Sequence, residues 1–153
     1  HEMKKKLGLQ LIMKQDIELI KELHSIMESD QLDFTITFSS LIFICQNKKN
    51  SLLEFNNSSK KFNNWILKWK SRLAKEKKSK MEINKNLEIC NPYIIPRNHL
   101  VEEAINFANK NDFSKFLKLF NLLSHPYSFN EENHTYYIPP DKIDKNFKTF
   151  CGT

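Results

Sequence analysis

Only two glycines, Gly8 and Gly152, punctuate this chain of 153 residues. A positive backbone φ is easy for glycine and costly for other residues, and tight hairpins call on it at nearly every turn. Architectures of many strands and short turns are therefore excluded, and a helical fold is what remains. The same scarcity removes Gly-rich phosphate loops, because neither glycine has a second one beside it. An apolar fraction of 40%, with twelve Phe, is enough for a real core, so the chain is not a disordered one.

Apolar residues recur at helical spacing in several blocks. Asp16 is placed to cap a helix carrying Ile20, Leu23 and Met27 on one face. Phe62, Trp65, Ile66, Trp69 and Leu73 form a second stripe, with lysines opposite. A third pattern runs from Met81 to Ile89 and is stopped by Pro92; Pro92 and Pro96 then hold an extended connector through Tyr93, Ile94 and Ile95. Asn98 is positioned as the cap of a helix bearing Leu100, Ala104, Ile105 and Ala108, with Glu102 and Glu103 near its positive end. After a break at Asn111 and Asp112, Asp112 caps a last helix with Phe113, Leu117, Phe120 and Leu123, which ends at His125-Pro126. These Phe-rich stripes read as core.

Two blocks are less regular. Asp33 to Phe38 alternates like a half-buried strand, but no partner strand stands nearby, so it reads as a helix capped by Asp33. The polar stretch 47–64 reads as a loop with a helical turn around Leu52–Phe55. The organisation expected is a helical region over 1–125 and an extended tail over 126–153, with Tyr136, Tyr137, Pro139 and Pro140 in the tail.

Charge and motifs exclude several functions. The formal net charge is +6, yet only Arg72 and Arg97 among the 24 basic residues carry the planar fork suited to phosphate, so the excess reads as a solvated lysine surface and not a nucleic-acid groove. No apolar run reaches membrane-spanning length. The stretch after Lys4-Lys5-Lys6 is broken by Gly8 and Gln10 and lacks a cleavage site, which points to the cytoplasm. Cys45, Cys90 and Cys151 have no Cys-x-x-Cys or His-Glu-x-x-His companions, so a zinc site is not indicated. Cys45 reads as core, Cys90 as semi-buried packing, and Cys151 by position as a free thiol on a terminal tail. Arg97, wedged between Pro96 and a helix start, reads as a held cation.

The ordered set of motifs has a counterpart. Asp33-Phe34-Thr35 with Thr37-Phe38, the Trp65–Trp69–Arg72–Leu73 helix, Met81, Asn91-Pro92, Arg97-Asn98, Glu103-Ala104-Ile105, Asp112-Phe113, His125-Pro126-Tyr127, Pro139-Pro140 and the closing Cys151-Gly152-Thr153 resemble the C-terminal region of the selenoprotein O (YdiU) family. The resemblance implies an all-α, multi-helix bundle-like C-terminal region of a protein-kinase-like fold. Its parent would be a pseudokinase that binds ATP with magnesium or manganese and transfers AMP to Ser, Thr or Tyr hydroxyls of protein substrates. The nucleotide loop, the ion-pairing Lys and the metal-binding Asn and Asp of that family lie upstream, so no catalytic, cofactor-binding or metal residue is expected in this chain. Asp33-Phe34 is followed by Thr35 where a kinase metal motif has glycine, and reads as a cap. The partners implied are the upstream kinase-like core, which Arg97 and Asn98 are candidates to dock, and the protein substrates. The resemblance also makes Cys151 a candidate redox residue, able to form a labile disulfide with an upstream cysteine. The other reading is a self-standing helical protein-interaction module without catalysis.

Overall fold

The computed structural model describes residues 2–56 and 59–140, and every regular element among them is helical. In chain order these are α1 (Glu2–Lys6), α2 (Asp16–Ser29), α3 (Phe34–Gln46), α4 (Ser51–Asn56), α5 (Lys60–Leu73), α6 (Lys80–Cys90), α7 (Asn98–Ala108), α8 (Ser114–Leu123), a 3-10 turn (Glu131–Asn133) and α9 (His134–Tyr137). The strand-like block is the start of α3, and the Asp33 carboxylate accepts from the Ile36 amide at 2.8 Å, as a capping residue does. Its alternation misleads because α3 is central. Thr35 through Phe43 are all buried, so no polar face marks the helical period. Small hydroxyls make that burial tolerable: Ser39 donates to the Ile36 carbonyl and Ser40 to the Thr37 carbonyl at 2.8 Å.

Around α3, α6 and α4 pack directly, α2 lies against α5, and α1 closes on α6. Of the residues expected on the second stripe, Phe62, Trp65, Ile66, Trp69 and Leu73 are all buried on α5. Their rings stack in sequence, Phe62 on Trp65 at 6.0 Å and Trp65 on Trp69 at 6.2 Å. The 47–64 stretch is more helical than expected. Its turn is α4, and α5 starts at Lys60, where the Ser59 hydroxyl accepts from the Phe62 amide.

Among the described residues four helix ends turn through left-handed backbone, and one of them uses glycine. After α1, Gly8 has φ +71°, the Leu9 amide donates to the Lys4 carbonyl at 2.9 Å and the Gly8 amide to that of Lys5 at 2.9 Å. Gln31, Asn47 and Asn111 take the same place after α2, α3 and α7, with φ of 51°, 58° and 62°. The matching long bonds run from Leu32 to Met27, Lys48 to Phe43 and Asp112 to Phe107. A helical chain can thus turn with few glycines by giving these stations to amide side chains.

Gly8 is also pressed against α6: a Cβ there would lie 3.3 Å from Ile83 Cγ2 and from Leu87 Cγ. Gly8→Ala is expected to cost about 1–2 kcal/mol, from left-handed strain plus the displaced neighbours. A urea unfolding midpoint equal to that of the parent sequence would contradict this.

Several expectations about helix ends and the tail need correction. Asp112 is not the cap of α8, which starts from Phe113 without a side-chain bond; its carboxylate accepts from the Ser114 amide at 2.9 Å. Asp16 does not cap α2, since that role falls to Gln15 without a side-chain bond; the carboxylate is instead drawn into an ion pair described below. Asn98 does not cap α7, which starts from an extended Arg97; Asn98 is its exposed first residue. The segment after Pro126 is not extended throughout, because Asn130 accepts from the Glu132 amide and opens the turn leading into α9, where Tyr137 is buried against Phe129. The tail over 141–153 lies outside the described residues.

Candidate functional site

The residues singled out by motif are brought together in pairs, and each pair ties distant parts of the chain. Arg97 is the clearest case. Its fork meets the Asp33 carboxylate with two bonds, Nη1 to Oδ2 at 2.8 Å and Nη2 to Oδ1 at 3.0 Å. Nε and Nη2 also donate to the Tyr137 carbonyl at 3.1 and 2.8 Å. The guanidinium thus joins the cap of α3, the proline connector and the end of α9. With these four bonds among the five donors of a guanidinium, its geometry is that of an internal clamp. Next to it in the connector, the Tyr93 amide donates to the Pro126 carbonyl at 2.8 Å, which joins the Asn-Pro and His-Pro motifs. Asn91, fully buried, donates to the Lys6 carbonyl at 2.9 Å.

The tryptophan helix does the same for the N-terminal segment. Trp69 Nε1 donates to the Leu7 carbonyl at 2.9 Å and Trp65 Nε1 to the Leu19 carbonyl at 2.8 Å. One turn on, Arg72 donates from Nε to Asp16 Oδ1 at 2.6 Å, from Nη1 to Glu76 Oε1 at 2.8 Å and from Nη2 to the Leu11 carbonyl at 2.9 Å. Lys4 Nζ lies 2.7 Å from Asp16 Oδ2, and the Met13 amide donates to the same oxygen. Asp16 is 1% exposed and Arg72 3%, so this is a buried charge cluster. Burial alone would raise the Asp16 carboxyl, but the bonds from Arg72, Lys4 and Met13 outweigh it and hold the group down at about 2. Nothing local in the sequence announces this pair. The only signal available was an acidic residue between apolar stripes, which also suits a cap.

These arrangements tie distant parts of the chain to one another. The carboxylates nearest the motifs are already satisfied: Asp16 by Arg72 and Lys4, Asp33 by Arg97, and Asp30 by Ser59 and Lys61. Among the described residues no group of three or more His, Cys, Asp or Glu is placed to hold a metal ion. Burial pushes the Cys45 thiol up, while Cys90, half-buried, closes α6. Cys151 lies outside the described residues. No helix among those residues is long and apolar enough to cross a membrane.

A family model described as protein adenylyltransferase SelO matches residues 1–124. The Protein nucleotidyltransferase YdiU of Bacillus cereus (strain AH820) is 41% identical over 152 residues, covering 99% of this chain and 30% of the relative. Its counterpart in Clostridium perfringens (strain SM101 / Type A) is 41% identical over 153 residues, 100% of this chain and 30% of the relative. That of Bacillus thuringiensis (strain Al Hakam) is 40% identical over 152 residues with the same shares, 99% and 30%. The chain therefore spans about 30% of the length of the curated relatives it matches.

Proposed function

The chain belongs to the protein adenylyltransferase SelO family, and from that premise we propose that it is the C-terminal helical part of an enzyme transferring AMP from ATP to Ser, Thr or Tyr hydroxyls of proteins. The observation that carries this reading is identity near 40% along the whole chain to relatives named protein nucleotidyltransferases, matched over only 30% of their length. In this reading the catalytic centre, a kinase-like core that binds ATP and magnesium or manganese, lies upstream in the same cytoplasmic polypeptide. This chain supports that core and does no chemistry itself. The inward ties of Arg72 and Arg97, which hold this chain's own elements together, support such a structural role. Cys151 would add a redox gate. Under oxidising conditions it and an upstream cysteine would form a disulfide, their two electrons passing to oxidised glutathione, and the closed loop would restrain the core.

The test uses ATP labelled in its α-phosphate, with magnesium, on the isolated chain and on the longer polypeptide that carries it. Label is expected on protein only with the longer form, and more strongly or weakly according to added reductant; Cys151→Ala is expected to remove the reductant effect and keep the transfer. Micromolar ATP affinity of the isolated chain in calorimetry would overturn the placement of the active site. Absence of transfer by the longer polypeptide would overturn the activity and leave the interaction-module reading.

A further inference from the structure

We propose that an exposed apolar stripe on α8, formed by Phe113, Phe116, Leu117 and Phe120, is the seat of the part of the family polypeptide that this chain does not include. This inference rests on the reading above that the chain is one part of a longer protein. The stripe was expected to be core. Instead Phe113 is 55% exposed, Phe116 49%, Leu117 60% and Phe120 61%. Their spacing of i, i+3, i+4 and i+7 puts them on one face. The buried side of α8 is a different arc, where Leu119 is buried and Leu122 and Leu123 pack against the core. The helix thus has an apolar arc wider than one neighbour can cover, and only half of it is covered here.

Neighbouring rings on this face touch. Phe116 and Phe120 stack with ring centres 6.0 Å apart. Lys115 bonds Glu103 of α7 at 2.8 Å and sits 5.4 Å over the Phe107 ring, two contacts that join α7 to α8. Grouped large apolar residues on one face mark an interaction surface, unlike single exposed ones.

The occupant follows from length. The matched relatives extend over more than three times the aligned portion, since it makes up 30% of each, and parts of one chain commonly meet over roughly 600–1,500 Å². The α8 stripe is a grouped apolar face of the kind such a contact covers, whereas Arg97 has its donors turned inward. The covering surface should be apolar and contributed by the same polypeptide.

Hydroxyl-radical footprinting reads the rings without mutation. Rates are normalised to those of the urea-unfolded protein, and the peptide over residues 113–120 is compared in the isolated chain and the longer polypeptide. At least fivefold slower oxidation in the longer form is expected. Equal rates would overturn the proposal, as would protection in the isolated chain that grows with concentration alongside a sedimenting dimer, because the occupant would then be a second copy. A Phe116→Asp/Phe120→Asp variant is expected to leave the melting of the isolated chain unchanged; a marked loss of stability would mean that the face is already buried. AMP transfer is assayed in parallel. Equal oxidation with intact transfer sinks this inference alone, and protection without transfer sinks only the functional reading.

Discussion

Arg97→Ala is expected to destabilise the isolated chain by about 3 kcal/mol, at the lower end of what breaking a largely buried ion pair costs. The lower end applies because the two side chains keep some exposure, 10% for Arg97 and 17% for Asp33. Two things are lost together: the bidentate contact with Asp33 and both bonds to the Tyr137 carbonyl. Asp33→Asn separates the contributions. An Asn still caps α3 through its carbonyl oxygen but cannot pair with the fork, so it should cost less, about 1–2 kcal/mol. Arg97→Lys keeps the charge without the planar geometry and should fall between. Urea unfolding of the two single variants and the double variant would give the coupling energy directly. A change below about 0.5 kcal/mol for Arg97→Ala, the range of ordinary surface substitutions, would sink the clamp.

The second large effect is at the Asp16–Arg72 cluster. Arg72→Leu leaves Glu76 buried without its cation and Asp16 with Lys4 alone, and about 3–5 kcal/mol is expected to be lost. Typical domains have only about 5–15 kcal/mol in total, so this variant should populate the unfolded state in dilute urea. The pair also predicts an acid response. Asp16 is held at about 2 against 3.8 for an ordinary carboxyl, so the unfolded chain binds its proton more readily than the folded one. Stability from this group is fully present above the unfolded value and is lost as pH falls from about 4 towards 2. After allowing for screening it is on the order of 1–2 kcal/mol. Asp30, lowered in the same direction by its bonds to Ser59, Ser29 and Lys61, shares the window. The informative quantity is therefore the gap between the parent sequence and Asp16→Asn, which should narrow as the medium is acidified. A gap independent of pH would contradict the assignment.

How far these features could be read beforehand depends on whether their cause is local. The Asp33 cap and the α5 stripe were legible, because a cap bonds three residues on and a stripe repeats every turn. The fate of Asp16 was not, since its partner stands 56 residues away and a carboxylate before an apolar stripe suits a cap equally well. Arg97 could be recognised as held, but its two anchors are separated from it by 64 and 40 residues in opposite directions. The α8 stripe failed differently. Periodicity tells which face is apolar and is silent on whether this chain supplies enough neighbours to cover it. The helical turn over 131–137 was hidden because the prolines at 139 and 140 follow closely, and its stability comes from Tyr137 packing on Phe129.

The amide-bearing residues at the ends of α2, α3 and α7 have a consequence for how the lineage can change. Gln31, Asn47 and Asn111 are exposed, touch no described ion pair, and hold a conformation that costs an ordinary L-residue about 1–2 kcal/mol, a penalty Asn softens more than Gln. At each of them, replacement by glycine would relieve strain without disturbing a packed side chain. The chain is therefore not at the stability its backbone permits, and three independent sites stand open for compensating drift. A substitution that weakens the Arg97 clamp or the Arg72 cluster could survive in a descendant that had first acquired glycine at one of these ends.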